Sequence, residues 1–414
     1  MPELRRTRRL LGIHALPGAG RWAAASLIDA IGTGLLAPLT VLYFTIHVGL
    51  PVRSVGLGLT IGGLAALGFA PVGGALVDRH GPKPVLIAYL ALAALAYASY
   101  GLVRTWPELL VAVTAAEIAA SASGTARKAL LAEIATGEDR VTLMASQRSL
   151  RNLGYGVGGA LASVALAVGG DAFTCVVEVD AVSFLVAIVL LSGLHVPARR
   201  PTSQPQAATA GLRQVSRDVR YLALSALDLL TSFYATALEV AIPLWVVLHT
   251  DAPRALAGAL FTFNTVIVVF VQVRATSGVR QLADVPLAYL RAAAGIVVCA
   301  IACLTARDAG AVMASVLLVI GVGGLTASEM FASAGEWAIS LGLADDRSRG
   351  SYLSVFSIGS SLQDALGPSI VTVLLTLGVL LLWPVLAALV CAGALMTVAI
   401  IRRCLRSPSA ERVG

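Results

Sequence analysis

Twelve stretches of about twenty apolar residues, each bounded by charge, proline or glycine, leave this chain few ways to fold. Each matches the ~30 Å hydrocarbon core of a bilayer, where a helix is the form that satisfies its own backbone. The runs cover approximately 22–46, 54–76, 84–103, 108–127, 149–168, 174–194, 221–248, 255–274, 286–305, 310–334, 351–377 and 381–401. In 414 residues they leave no polar stretch long enough for a soluble domain. Charged residues make up 13% of the chain, where soluble proteins carry about 25%. The reading is an all-α polytopic membrane protein with 12 transmembrane helices, bent at Pro38, Pro243 and Pro368.

The net charge of +7 would suggest a nucleic-acid partner in a soluble protein, but here the charges lie between the apolar runs. With the basic opening MPELRRTRRL placed inside, the outer loops hold Arg53, Arg104, Arg254 and Arg307, four of thirty basic residues. That asymmetry predicts cytoplasmic termini. Arginine far outnumbers lysine, which we read as the codon bias of a GC-rich bacterial genome and hence a bacterial plasma membrane. Trp22, Trp106, Trp245, Trp337 and Trp383 fall at run ends, where indoles favour headgroups. The five cysteines and five histidines show no disulfide or metal spacing, and Cys299 and Cys303 read as small packing residues. No Walker-type loop, catalytic constellation or cofactor motif is present, so an enzyme, a cofactor and a metal are not expected.

A polar, arginine-rich segment at the midpoint divides the chain into an N-terminal half (1–194), a cytoplasmic linker (195–220) and a C-terminal half (221–414). The halves echo one another at an offset of about 200 residues. Ser26–Asp29 matches Ser225–Asp228, and Glu138-Asp139-Arg140 matches Asp345-Asp346-Arg347. A small-residue helix follows each charged triplet, with Asn152, Gly154 and Gly158 in the first half and Gln363 and Gly367 in the second. This predicts a parallel repeat of six plus six helices.

Between runs two and three stands Gly74-Ala-Leu-Val-Asp78-Arg79-His80-Gly81-Pro82-Lys83. It resembles the G-x-x-x-D-R-x-G-x-K signature of the major facilitator superfamily, and the resemblance extends to the twelve runs, the linker and the half repeat. Gly74 is read as allowing close helix approach, Gly81 as relaxing the turn, and Arg79 with Lys83 as holding the loop at anionic headgroups. The resemblance implies that Asp78 meets the start of run eleven, around Ser348 to Ser351, and Arg127 at the end of run four, forming an inner gate. The second-half loop, Gly278 to Asp284, is degenerate. Run five resembles the glycine-rich antiporter motif of drug exporters without its Gly-Pro pair, and Gly154, Gly158 and Gly159, like Gly367, are read as packing residues.

The family's central cavity is lined by spans one, four, seven and ten, and the corresponding runs carry Asp29, Glu117, Asp228 and Glu329, each in a helical polar stripe. Asp364 lies near the midplane of run eleven, whereas Glu178 and Asp180 are placed nearer the outer surface. A charge facing lipid costs at least ~2.5–3.5 kcal/mol, so the embedded acids are read as cavity-facing or proton-carrying, with Glu117 as first candidate. No arginine or lysine is counted at midplane depth, which suits cationic or neutral amphipathic substrates. The expectation is a monomeric proton-coupled exporter of drug- or antibiotic-like molecules, working by alternating access. Its partners are a small-molecule substrate, protons and membrane lipids, with no nucleic acid. The alternatives are uptake of a small metabolite, or a sensor or enzyme on the same scaffold.

Overall fold

The computed structural model describes residues 19–134, 137–170, 172–194, 213–344 and 348–406. The basic N-terminal tail, most of the linker, Asp345-Asp346-Arg347 and the side chains of Glu138, Asp139 and Arg140 lie outside the described residues. Twelve main helices follow one another: α1 (Ala19–Leu36), α2 (Val52–His80), α3 (Pro82–Tyr100), α4 (Trp106–Ile134), α5 (Gly137–Val168), α6 (Ala172–Ser192), α7 (Val219–Thr231), α8 (Leu256–Ala275), α9 (Val285–Ala306), α10 (Ala311–Gly342), α11 (Arg349–Leu377) and α12 (Leu382–Arg406).

Ten described helices are long and apolar enough to cross a bilayer, or eleven when the bent first span is counted as one. The remaining one, α5, has the length, but its Arg, Gln and Gly content dilutes the apolar run. Several helices outlast their apolar runs at the linker-side end: α4 continues to Ile134, α5 begins at Gly137 and α10 reaches Gly342. Hydropathy marks where lipid ends, and helical hydrogen bonding simply continues past it.

Pro38 acts as sequence predicts. Between Gly20–Leu36 and Thr40–His47 the first span bends by 48°, where Pro38 interrupts the hydrogen-bond ladder. The seventh span runs on as one segment, Val219–His249, with a π-helical turn at Ala237–Ala241 directly before Ile242–His249, which carries Pro243 in its first turn. The first span has its own π turn at Tyr43–His47, so the repeat extends to backbone irregularities. Pro368 sits inside a continuous α11, and Pro71 stands inside α2.

The chain divides into two compact units: Met1–Pro201 with Ala257–Thr265, and Thr202–Leu256 with Val266–Gly414. In the first, α1 packs on α5 and α6, and α4 packs on α2 and α3. Its core gathers Trp22, Leu86, Tyr89, Leu90, Leu130 and Phe184. In the second, α7 packs on α11 and α12, and α9 packs on α10 and α12, around Tyr221, Tyr289, Tyr352, Phe356 and Ile401.

The tryptophans depart from the expected belt. Trp22, Trp245 and Trp383 are buried among helices. Trp245 Nε1 donates to Cys303 O at 2.8 Å and its ring meets Trp383 edge-on at 5.7 Å. At the ends of a tightly packed bundle, contact with other helices takes the ring face that headgroups would otherwise cover. Trp337 remains exposed, and Trp106 is half-buried with Nε1 donating to Ser54 O. Cys299 and Cys303 are buried one turn apart with sulfurs 3.9 Å from each other, as small packing residues.

Candidate functional site: a buried ion pair and the acids around it

Helix α1 reaches its neighbours closely because it presents Gly32 and Gly34. A Cβ at Gly34 would strike the Tyr155 backbone, and Cβ atoms at Gly154 and Gly158 on α5 would strike Ala30, Ile31 and Leu35 of α1. Small residues facing one another allow such contact between backbones. Gly159 faces Phe261 and Thr262, which belong to the same unit, and Thr262 Oγ1 donates to Gly156 O at 3.1 Å. In the second unit Gly367 seats against Thr236. These four glycines occupy packing positions. Gly74 does not, because among the described residues nothing lies within 4 Å of the space its Cβ would take.

This close packing sets Asp29 opposite α4. Arg127 Nη1 donates to Asp29 Oδ2 at 2.8 Å, an ion pair of two largely buried side chains. Asp29 stands about 15 Å from the start of α1 and Arg127 about 10 Å from the end of α4, counting 1.5 Å per residue. Arg127 thus pairs with Asp29 in this structure, whereas the resemblance implied Asp78, and the expectation that Asp29 has no counter-cation is corrected. Counting residues from helix ends missed the pair because the long arginine side chain reaches away from its own Cα level.

Asp180 was the acid the sequence undervalued. On α6 it is 1% exposed, its Oδ1 lies against Gly32, and its Oδ2 has no hydrogen-bond partner among the described residues. The usable signal was Gly32, one helical turn beyond Asp29, which opens α1 toward α6. Glu117 is half-buried on α4, its Cγ beside Gly62 of α2.

In the second unit Asp228, the repeat counterpart of Asp29, is 3% exposed. No cation lies within ion-pair distance of it among the described residues, and its Oδ2 has no hydrogen-bond partner there. Ser232 and Ser360 lie beside it. Glu329 is half-buried on α10, where Tyr234 and Ser333 hydroxyls meet at 3.3 Å. Asp364 is exposed on α11, and Gln363, oriented to satisfy its amide, donates to Asp364 Oδ1 at 3.2 Å and Ser232 O at 3.1 Å and accepts from Thr236.

In the signature loop Gly81 has φ of +83°, a conformation that favours glycine. Asp78 and Arg79 are exposed. Lys83, expected at headgroups, instead donates from Nζ to Ser192 O at 2.9 Å and Leu194 O at 2.6 Å. It caps the orphan carbonyls at the end of α6, where a cation also complements the helix dipole. Lys83→Gln is expected to lower stability by about 1–2 kcal/mol, the scale of charge-assisted hydrogen bonds at a partly exposed site. A detergent melt of the variant that matched the native protein would rule this out.

The sequence profile of the Major Facilitator Superfamily matches residues 22–368. The multidrug resistance protein MdtH of Aeromonas hydrophila subsp. hydrophila is 26% identical over 251 residues, covering 60% of this chain and 62% of that protein. The class C tetracycline resistance protein of Escherichia coli is 29% identical over 238 residues, covering 55% and 57%. The chain thus spans about 62% or less of the length of these curated relatives. Among solved structures, a mutant form of the nucleoside transporter NupG superposes with a TM-score of 0.71 at 14% identity, covering 92% of this chain and 98% of that one, a likeness of fold. With its profile covering most of the twelve helices, this chain belongs to the Major Facilitator Superfamily and is a multi-span membrane protein.

Proposed function

We propose that the chain is a proton-coupled exporter of small amphipathic, drug- or antibiotic-like molecules, acting as a monomer by alternating access in a bacterial plasma membrane. Its termini and the 195–220 linker are cytoplasmic in this reading. The carrying observation is the contrast between Asp29, neutralised by Arg127, and Asp228, buried at the matching repeat position with no cation within ion-pair distance among the described residues. An uncompensated acid inside a membrane bundle calls for a proton or a cationic ligand. In the paired site, protonating Asp29 releases Arg127, which changes the charge facing α4 and supplies a link between proton uptake and helix packing. The names of the curated relatives support export and drug-like substrates. Glu117, Glu329 and Asp364 complete the proposed set of acids.

The test is transport of ethidium and tetracycline in proteoliposomes under an imposed pH gradient. Glu117→Gln, Asp29→Asn and Asp228→Asn are each expected to reduce gradient-driven transport toward background, with Asp228→Asn affecting ethidium more than a neutral substrate because the cation alone uses the Coulomb attraction. Full transport by all three variants would place coupling elsewhere. Accumulation of the probes by intact cells, in place of exclusion, would favour the uptake alternative.

A further inference from the structure

The second unit holds a cavity of about 1030 Å³ at its linker-side end, between the ends of α7, α8, α10 and α12 and beneath the 276–283 loop. The degenerate counterpart of the signature loop is therefore its roof. In the first unit the equivalent loop is tied down, because Lys83 reaches across to the end of α6. In the second unit the loop bonds to itself. Arg280 Nε donates to Ser277 O at 2.9 Å, and the backbone N–H groups of Arg280 and Gln281 both donate to Asp284 Oδ2.

The lining divides into a polar edge and an apolar wall. Asp218, Arg220, Arg280 and Gln272 supply the polar edge, and Trp337 and Leu341 belong to the wall. Asp218 is engaged as the N-cap of α7, accepting from Tyr221 N at 3.0 Å. Arg220 makes no hydrogen bond or ion pair among the described residues, and Arg280 commits only Nε of its guanidinium. Next to the cavity α8 exposes Phe270 and Val273 by 70% and 80%, which continues the apolar surface toward the bilayer core. Two arginines at headgroup level above an apolar wall with an exposed indole match the chemistry of a lipid carrying a negative phosphate.

We propose that this cavity binds one anionic phospholipid, its phosphate held by Arg220 and Arg280 and its chains lying along Trp337, Leu341 and the exposed face of α8. An arginine close to an anionic headgroup contributes roughly a fivefold preference, so the two together give a marked selectivity over a zwitterionic lipid. The site is independent of what the protein transports.

The test is native mass spectrometry of the full chain in detergent with palmitoyl-oleoyl phosphatidylglycerol or phosphatidylcholine. The native protein is expected to retain one phosphatidylglycerol at least about fivefold better than phosphatidylcholine. R220Q/R280Q should lower retention to the phosphatidylcholine level without shifting the lipid-free melting temperature. R213Q/R217Q, which alters exposed arginines near the same end that do not line the cavity, should leave the preference intact. In a second readout, dibrominated phosphatidylglycerol should quench tryptophan emission more than the brominated choline lipid, and Trp337→Phe should remove the excess. Equal retention of both lipids, or equal losses in the two double variants, would overturn the proposal. Displacement of the lipid by millimolar inorganic phosphate would reassign the cavity to a soluble anion and overturn it as well.

Discussion

Replacing Arg127 with glutamine is expected to be among the most damaging single side-chain changes in the first unit, with a loss of about 3–5 kcal/mol of stability. The change strands the Asp29 carboxylate, which is 7% exposed between α1 and α4, without the cation 2.8 Å away. Removing one partner of a buried pair costs more than removing both, since the survivor keeps its desolvation penalty and loses its compensation. Asp29→Asn/Arg127→Gln should therefore recover most of what Arg127→Gln loses. A double-mutant cycle built on detergent unfolding would measure the coupling. If the losses of the two single variants simply added in the double variant, the two residues would contribute independently and the pair would not hold α4 against α1. The same cycle also separates stability from mechanism, because the double variant should fold yet lack the titratable pair that proton coupling uses in our proposal.

Gly158→Ala should be nearly as severe, and it inverts the usual effect of that substitution. In an exposed helix interior glycine is about 1 kcal/mol worse than alanine. At Gly158 the added methyl would meet Ile31 O, Leu35 N and the Gly34 carbonyl carbon, all backbone atoms of α1. Backbone cannot rotate out of the way as a side chain can, so α1 and α5 must separate, at a cost at or above the ~1–3 kcal/mol typical of overpacking. Gly74→Ala provides the internal control. Among the described residues nothing lies within 4 Å of a Cβ at that position, and the change should be neutral or gain up to about 1 kcal/mol. Size-exclusion profiles of fluorescent fusions after a heat step would rank the two. A tolerated Gly158→Ala would show that the α1–α5 contact is loose, and a damaging Gly74→Ala would give that glycine a role outside the packing described.

The limits of the sequence reading follow the range of the forces involved. Asp29 and Arg127 were both recognised, yet they were assigned to different tasks, one to a cavity and one to a gate. Family resemblance supplied a partner for Arg127, whereas the approach of α1 to α4, ninety-eight residues apart in sequence, supplied another. Lys83 was placed at the membrane surface on the strength of its charge, while the carbonyls at the end of α6 offered it a shorter and better-defined electrostatic partner. Asp180 looked peripheral by counting from a helix end, but Gly32 lets α6 draw it into the interior.

The sequence by itself determined the properties that act within one segment or against the solvent. Apolar length and the bilayer's thickness dictate the helices, proline breaks the first span after Leu36, glycine permits the positive φ at residue 81, and the spaced repeat of Asp29 and Asp228 reveals duplicated halves. Tertiary structure alone decided which of two repeat-related acids has a cation, which glycines are contacts and which stand in open space, and which half encloses a cavity beneath its loop. Local hydrogen bonding and transfer to lipid are additive along the chain and are legible residue by residue. The partner of a buried charge or of a missing side chain is set by how helices distant in sequence meet, and no local pattern encodes that distance.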